Sequence, residues 1–233
     1  LKYCCIDAYV DLVGLEFTRT YFPKLFYFEG EWHYRNNGSF ELGTAEGGRK
    51  IFLMGMNYLN EYKDSREALN TYYLKTIHHE FTHILHQTVE FSTAYQFITT
   101  DYKVDKCFNR EFADFLSRGF ITDYAQKNYH EDFAEMVSTY VTNTEEEWEA
   151  LLKKASYAPK KDKDGNLVYD ANGSVIADTT TKANGRDLIE QKLSIMRSYM
   201  QDQWGIDIDE LRASILQREN DVVNGKVDLK NLD

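Results

Sequence analysis

Basic residues are scarce in this chain. Lys and Arg total 27 against 38 Asp and Glu, a formal net charge of −11. So acidic a chain lacks the basic footprint of a nucleic-acid binder, and no polybasic patch suits it to an anionic membrane surface. Long hydrophobic runs are missing too: none approaches the ~18–20 apolar residues that a membrane-crossing helix needs. The start, "LKYCCIDAYV", has neither the basic segment nor the apolar stretch and small-residue cleavage site of a secretory signal. Its "LKYC" does not make a lipobox. Cysteine is limited to Cys4, Cys5 and Cys107. An odd number with one adjacent pair gives no disulfide framework, so buried or terminal free thiols are expected. What is there is 233 residues, 42% hydrophobic and 15% aromatic, enough for a real core in one large domain or two intimately packed subdomains.

Along the chain, residues 8–20 read as a helix. "KLFYFEGEWHY" (24–34) reads as a strand entering a turn, and "NNGS" (36–39) is a turn signal. Residues 40–59 suggest two strands around a glycine-rich loop. Residues 66–89, 109–120, 129–143, 186–203 and 207–219 carry helical patterns. Leu188, Leu193, Met196 and Met200 form a packing stripe. The polar segment 157–184 contains Asp164-Gly165 and Asn172-Gly173, hairpin-type dipeptides, and reads as an exposed insertion with one or two short hairpins. No internal repeat is visible. "DKDGN" (162–166) lacks the first and last ligands of a calcium loop, and "GTAEGGRK" (43–50) lacks the phosphate-loop pattern.

Chemistry concentrates in "TIHHEFTHILHQ" (76–87), where four histidines and one glutamate fall within nine residues. His79-Glu80-Phe81-Thr82-His83 is H-E-x-x-H. On a helix at ~100° per residue the two histidines lie ~40° apart and one turn from each other. Both imidazoles can reach one ion. Glu80 sits ~100° round from His79, beside the ion without ligating it, where a general base acting on water belongs. His78 and His86 suit packing or a supporting hydrogen bond better than the same ion. A catalytic zinc wants three protein ligands. The metzincin route is closed, because it needs Gly at 86 and His at 89, and the chain has His86 and Val89. Another acid source is "YHEDFAEMVSTY" (129–140), where Glu131 and Glu135 stand one turn apart. One of them could ligate while the other orients a ligand histidine; a plain solvated helix face is the competing reading.

The pairing of H-E-x-x-H with "Y-x-x-x-N-x-x-E-D-F-A-E" resembles the gluzincin-type peptidases. It is most similar to the catalytic domains of anthrax lethal factor and the Pro-Pro endopeptidases. The resemblance implies Glu131 as third zinc ligand, Tyr124 as a hydroxyl donor to the reacting carbonyl, and Glu135 as a supporting acid behind the ligands. The wider chain, through "GTAEGGRKI", "HHEFTHILHQ", "DYAQKNYHEDFAEM" and "SYMQDQWGIDIDELR", resembles a Bacteroidetes family of zinc-binding metallopeptidases, the substrate import-associated zinc metallohydrolase lipoproteins. That implies an extracytoplasmic protein, lipid-anchored at the bacterial outer membrane through a segment outside this chain, and association with an outer-membrane nutrient importer.

These readings converge on an α+β, zincin-like fold: a small mixed sheet packed on the H-E-x-x-H helix, with a mainly helical C-terminal half. One metallopeptidase domain over 1–233 is expected. Residues 1–95 would hold the sheet and active-site helix, and 96–233 a helical subdomain carrying the insertion 157–184. Zn2+ is the expected cofactor and a peptide or protein the expected substrate. The strand around 49–57 is expected to form the cleft's edge and pair with an extended peptide. The alternatives are a zinc hydrolase of a non-peptide substrate, or a non-catalytic zinc-containing binding module of an importer.

Overall fold

The computed structural model describes residues 1–34, 36, 40–46 and 50–231. Most of the turn expected at 36–39 and the centre of the glycine-rich loop at 43–50 lie outside the described residues. The chain is α+β, as the patterns imply. It divides into two units: residues 1–90, 140–142 and 200–233 make one, and 91–139 and 143–199 the other.

The first unit opens with helix α1 (Asp7–Tyr21), bent where Gly14 takes φ 86°, a left-handed backbone that glycine reaches without steric cost. Strand β1 (Leu25–Phe28) follows, then a short antiparallel pair, β2 (His33–Tyr34) with β3 (Phe40–Glu41). Strands β4 (Gly43–Glu46) and β5 (Lys50–Leu53) complete a three-stranded sheet of order β1-β5-β4, with β1 parallel and β4 antiparallel to β5. β5 therefore lies in the middle, its hydrogen bonds taken by neighbours on both sides. It cannot offer the free edge expected of 49–57; among the described residues β1 and β4 are the edges. Along β5 the side chains alternate, Ile51 and Leu53 buried and Lys50 and Phe52 half-buried, as a one-sided sheet requires.

After α2 (Leu59–Tyr62), the expected long helix arrives in three parts. These are α3 (Arg66–Leu69), a wider turn over Asn70–Leu74, and α4 (Lys75–Thr88). The sheet packs on α4 so closely that a Cβ at Gly43 would meet Thr76 Cγ2 at 2.8 Å. Ile77, Phe81 and Leu85 sink from α4 into the core.

In the second unit, residues 91–128 form single turns rather than long helices. The expected helix at 109–120 is two short turns, Arg110–Phe112 and Phe115–Arg118. Asn109 Oδ1 accepts from Glu111 N at 3.0 Å, the local competition that keeps Asn out of helix interiors, and Gly119 at φ 86° ends the segment. Helix α5 (Tyr129–Thr142) starts on Asn128, whose Oδ1 accepts from the N–H groups of His130 and Glu131 at 3.0 Å each. Phe133, Ala134, Met136 and Val137 bury its inner face, with Phe133 stacked on Phe91 at 4.0 Å. Helix α6 (Glu145–Ala155) begins in a Thr144/Glu147 capping box.

The insertion then pairs β6 (Tyr157–Pro159) with β7 (Ala177–Lys182). Inside it lie two turns of one design. Asp162 Oδ1 accepts from Asp164 N and Asn166 N, and Asp170 Oδ1 from Asn172 N and Ser174 N, all at 2.9 Å. Gly165 and Gly173 supply φ 85° and 80°. Val168 N donates to Lys160 O, and Ile176 N to Val168 O. The hairpins are as expected, but Lys161–Val168 and Tyr169–Ile176 also repeat Asp, Gly and an apolar end at the same places, an eight-residue repeat that corrects the expectation of none.

Helix α7 (Gly185–Trp204) carries the Met196 and Met200 stripe into the core. Its end rejoins the first unit, where Trp204 meets Tyr21 edge-on at 5.0 Å. Helix α8 (Ile208–Val223) closes that unit: Arg218 Nη1 donates to Tyr3 O at 3.1 Å, and buried Asn70 donates to Glu219 Oε2 at 2.8 Å. No described helix is long and apolar enough to cross a membrane. All three cysteines are free and buried.

Candidate metal centre

Helix α4 sets the histidines at their expected spacing, and each finds a different environment. His79 Nε2 and His83 Nε2 lie 3.0 Å apart, with ring centroids at 4.7 Å and planes at 80°. Two nitrogens bound to one tetrahedral zinc at ~2.0–2.1 Å would stand about 3.3 Å from each other. The observed pair therefore fits a shared ion. His83 Nδ1 lies 2.8 Å from His86 Nε2, so His86 steadies the far nitrogen of His83, the support that metal-bound imidazoles require. His78 faces the other way. It is fully buried, 3.2 Å from Tyr9 Oη and 3.7 Å from Cys5 Sγ. Burial lowers its pKa to about 3, so it packs as a neutral ring. Glu80 is half-buried on the same helix, between the paired histidines in sequence.

The second unit gathers the other candidates. Tyr124 begins a short turn, Tyr124–Gln126, capped by Asp123. Its Oη donates to Glu131 Oε1 at 3.0 Å. Lys127 Nζ donates to Tyr124 Oη at 2.8 Å and to Glu131 Oε1 at 2.9 Å. Burial pushes the Tyr124 hydroxyl up to about 12, so it remains a proton donor at neutral pH. Burial works against the Lys127 charge, but Tyr124 and Glu131 outweigh it and hold the ammonium above the usual lysine range. Glu135, one turn on and 8% exposed, accepts from Thr122 Oγ1 at 2.8 Å.

Within each unit, then, the structure brings sequence-predicted residues together: His79 with His83 in one, Tyr124 with Glu131 in the other. Glu135 stands apart from the tyrosine, on Thr122. His86, expected to pack or to give a supporting hydrogen bond, lies against His83. One residue escaped the sequence reading. Lys127 was legible only as the midpoint of Tyr124-x-x-Lys127-x-x-x-Glu131, and a break in helix at Asn128 obscures that spacing.

The profile of a family described as "Putative zinc-binding metallo-peptidase" matches residues 1–209. A crystal structure titled as a putative zinc-binding metallo-peptidase from Bacteroides caccae resembles the chain with a TM-score of 0.74 and 30% sequence identity. That likeness covers 100% of this chain and 77% of the other. No curated protein matches.

Proposed function

The chain belongs to the family of putative zinc-binding metallo-peptidases, and from that premise we propose that it hydrolyses peptide bonds with Glu80 as general base. His79 and His83, through Nε2, and Glu131, through a carboxylate oxygen, would hold the zinc. When bound, zinc supplies Lewis acidity: it polarises a carbonyl and makes water acidic enough to lose a proton near neutral pH. Glu80 takes the proton from the attacking water at a carboxylate oxygen and returns it to the amine nitrogen that leaves. Tyr124 turns its Oη proton from Glu131 Oε1 to the carbonyl oxygen as negative charge builds there, while Lys127 stays on Oε1; the contribution is on the order of 3–4 kcal/mol for a well-placed donor. His86 holds the His83 ring, and Glu135 serves as a supporting acid near the ligands.

The observation that carries this reading is the pair of Nε2 atoms 3.0 Å apart on one helix, with a glutamate placed between them in sequence. The extracytoplasmic lipoprotein setting and the partnership with an importer are proposals that rest on the family resemblance alone.

The discriminating experiment replaces Glu80 by Gln, which keeps the size of the side chain and removes the base. The variant should retain zinc and lose hydrolysis by ~10²–10⁴-fold on peptides identified from a mixed library. Tyr124→Phe should retain zinc and lose less. A Glu80→Gln protein with wild-type rate would end the peptidase reading.

A further inference from the structure

Lys127 stands where helix physics disfavours a cation. It lies one residue before Asn128, the cap of α5, at the positive end of the helix dipole. It pairs with Glu131 in the order Lys then Glu, the weaker of the two orders at this spacing. The stability of α5 therefore gives no reason for a lysine at this position.

The contacts give one. Lys127 Nζ, Tyr124 Oη and Glu131 Oε1 form a closed triangle with sides of 2.8, 2.9 and 3.0 Å. Lys127 and Tyr124 both donate to Oε1, and neither of these bonds uses Oε2. The ammonium also lies over the Tyr124 ring, 4.9 Å from its centroid, and that ring stacks on Phe108 at 5.7 Å and 10°. The Glu131 side chain is 13% exposed and that of Lys127 36%, so the pair is shielded more than a surface ion pair is.

We propose that Lys127 is a positioning residue of the zinc centre: by pinning Oε1 of Glu131 against Tyr124, it fixes the carboxylate plane before metal arrives. The inference rests on Glu131 being the third ligand. A glutamate carboxylate turns about a broad, weakly restrained terminal torsion. Left alone it can offer either oxygen, or both. Two donors on one oxygen select a single orientation, so less freedom is lost when the ion binds.

The test is zinc affinity of the full chain, measured by competition with a chromophoric chelator, for wild type, Glu131→Ala, Lys127→Met and Lys127→Arg. Lys127→Met should bind zinc ~10–100-fold more weakly, the usual cost of losing a hydrogen-bond partner behind a ligand. Lys127→Arg, which keeps both charge and donors, should recover most of that loss. Circular dichroism should find the helix content of Lys127→Met unchanged, since the substitution removes a charge that α5 does not want. The opposing effect has the opposite sign: a nearby cation repels a dication, so if repulsion governs, Lys127→Met binds zinc more tightly. Tighter or equal binding by Lys127→Met overturns the proposal. If Glu131→Ala keeps its zinc, the ligand reading itself is wrong and the proposal falls with it, a failure that the Glu131 variant reveals independently of the lysine.

Discussion

Glu131 and Glu135 stand one turn apart on α5, yet they keep different company. Glu131 shares Oε1 between a lysine and a tyrosine, and Glu135 accepts from the Thr122 hydroxyl. If Glu131 is the ligand, Glu131→Ala removes zinc outright, whereas Glu135→Ala costs ~10–100-fold in affinity or activity. Metal content after dialysis separates them, and the reverse order would move the ligand one turn along the helix. The pairing of His79 with His83 could be read from the short H-E-x-x-H spacing, whereas Tyr124 and the choice of Glu131 over Glu135 came only with the family resemblance. The role of Lys127 could be read from neither, because it depends on the chain breaking at Asn128 and turning Tyr124 back onto the first turn of α5.

Helix α5 is held from its other side by a charge pair that has no contact with water. Asp132 Oδ2 lies 2.5 Å from Lys192 Nζ of α7, both side chains fully buried, and Tyr102 Oη donates to the same carboxylate at 3.2 Å. Lys192 Nζ also donates to Gly119 O at 2.8 Å. Burial pushes Asp132 up and Lys192 down, each towards its neutral form, while the partner opposes the shift. Lys192→Met alone strands a carboxylate in the core and should destabilise by about 3–5 kcal/mol. Adding Asp132→Asn should restore at least half, because the amide needs no counter-charge and still accepts from Tyr102. Urea midpoints decide it, and a single variant within about 1 kcal/mol of wild type would refute the argument. At this scale the helical run around the histidines was legible, since 66–89 holds no Gly or Pro, but the wider turn over Asn70–Leu74 that interrupts it was not. The segment 109–120 was not, since its apolar spacing is helical but Asn109 and Gly119 divide it. β5 was legible as a strand but not as a central one, because strand order depends on β1 returning from 25 residues away.

The stability of the whole chain should bear the mark of His78. Its folded pKa of about 3 lies below the ordinary 6.5, so between these values the unfolded chain binds the extra proton. Its neutral burial is without penalty above pH 6.5, and stability is lost as pH falls from there towards 3. By pH 5 the loss from this one ring is about 2 kcal/mol. Denaturant titrations of zinc-free wild type at pH 7 and 5 should therefore diverge more than those of His78→Gln by that amount. Parallel behaviour of the two proteins would show that another group governs the acid limb.

The insertion has a consequence for how such a chain can grow. Its two turns share one pattern: Lys161–Val168 and Tyr169–Ile176 repeat Asp, Gly and an apolar end at the same places. Lys160 N closes the path by donating to Ile176 O at 2.7 Å, so the excursion departs and returns at one point. Duplication of eight codons would then widen the ring in which Lys160 N, Val168 N and Ile176 N donate to one another's carbonyls, while each copy still caps its own turn with its own aspartate. A chain carrying a third copy of Tyr169–Ile176 should unfold within a few degrees of wild type, since extra length in a closed loop costs only about 0.6 kcal/mol per doubling. Length added there is added outside the β6–β7 pair, at a place where the chain already leaves and returns at one point.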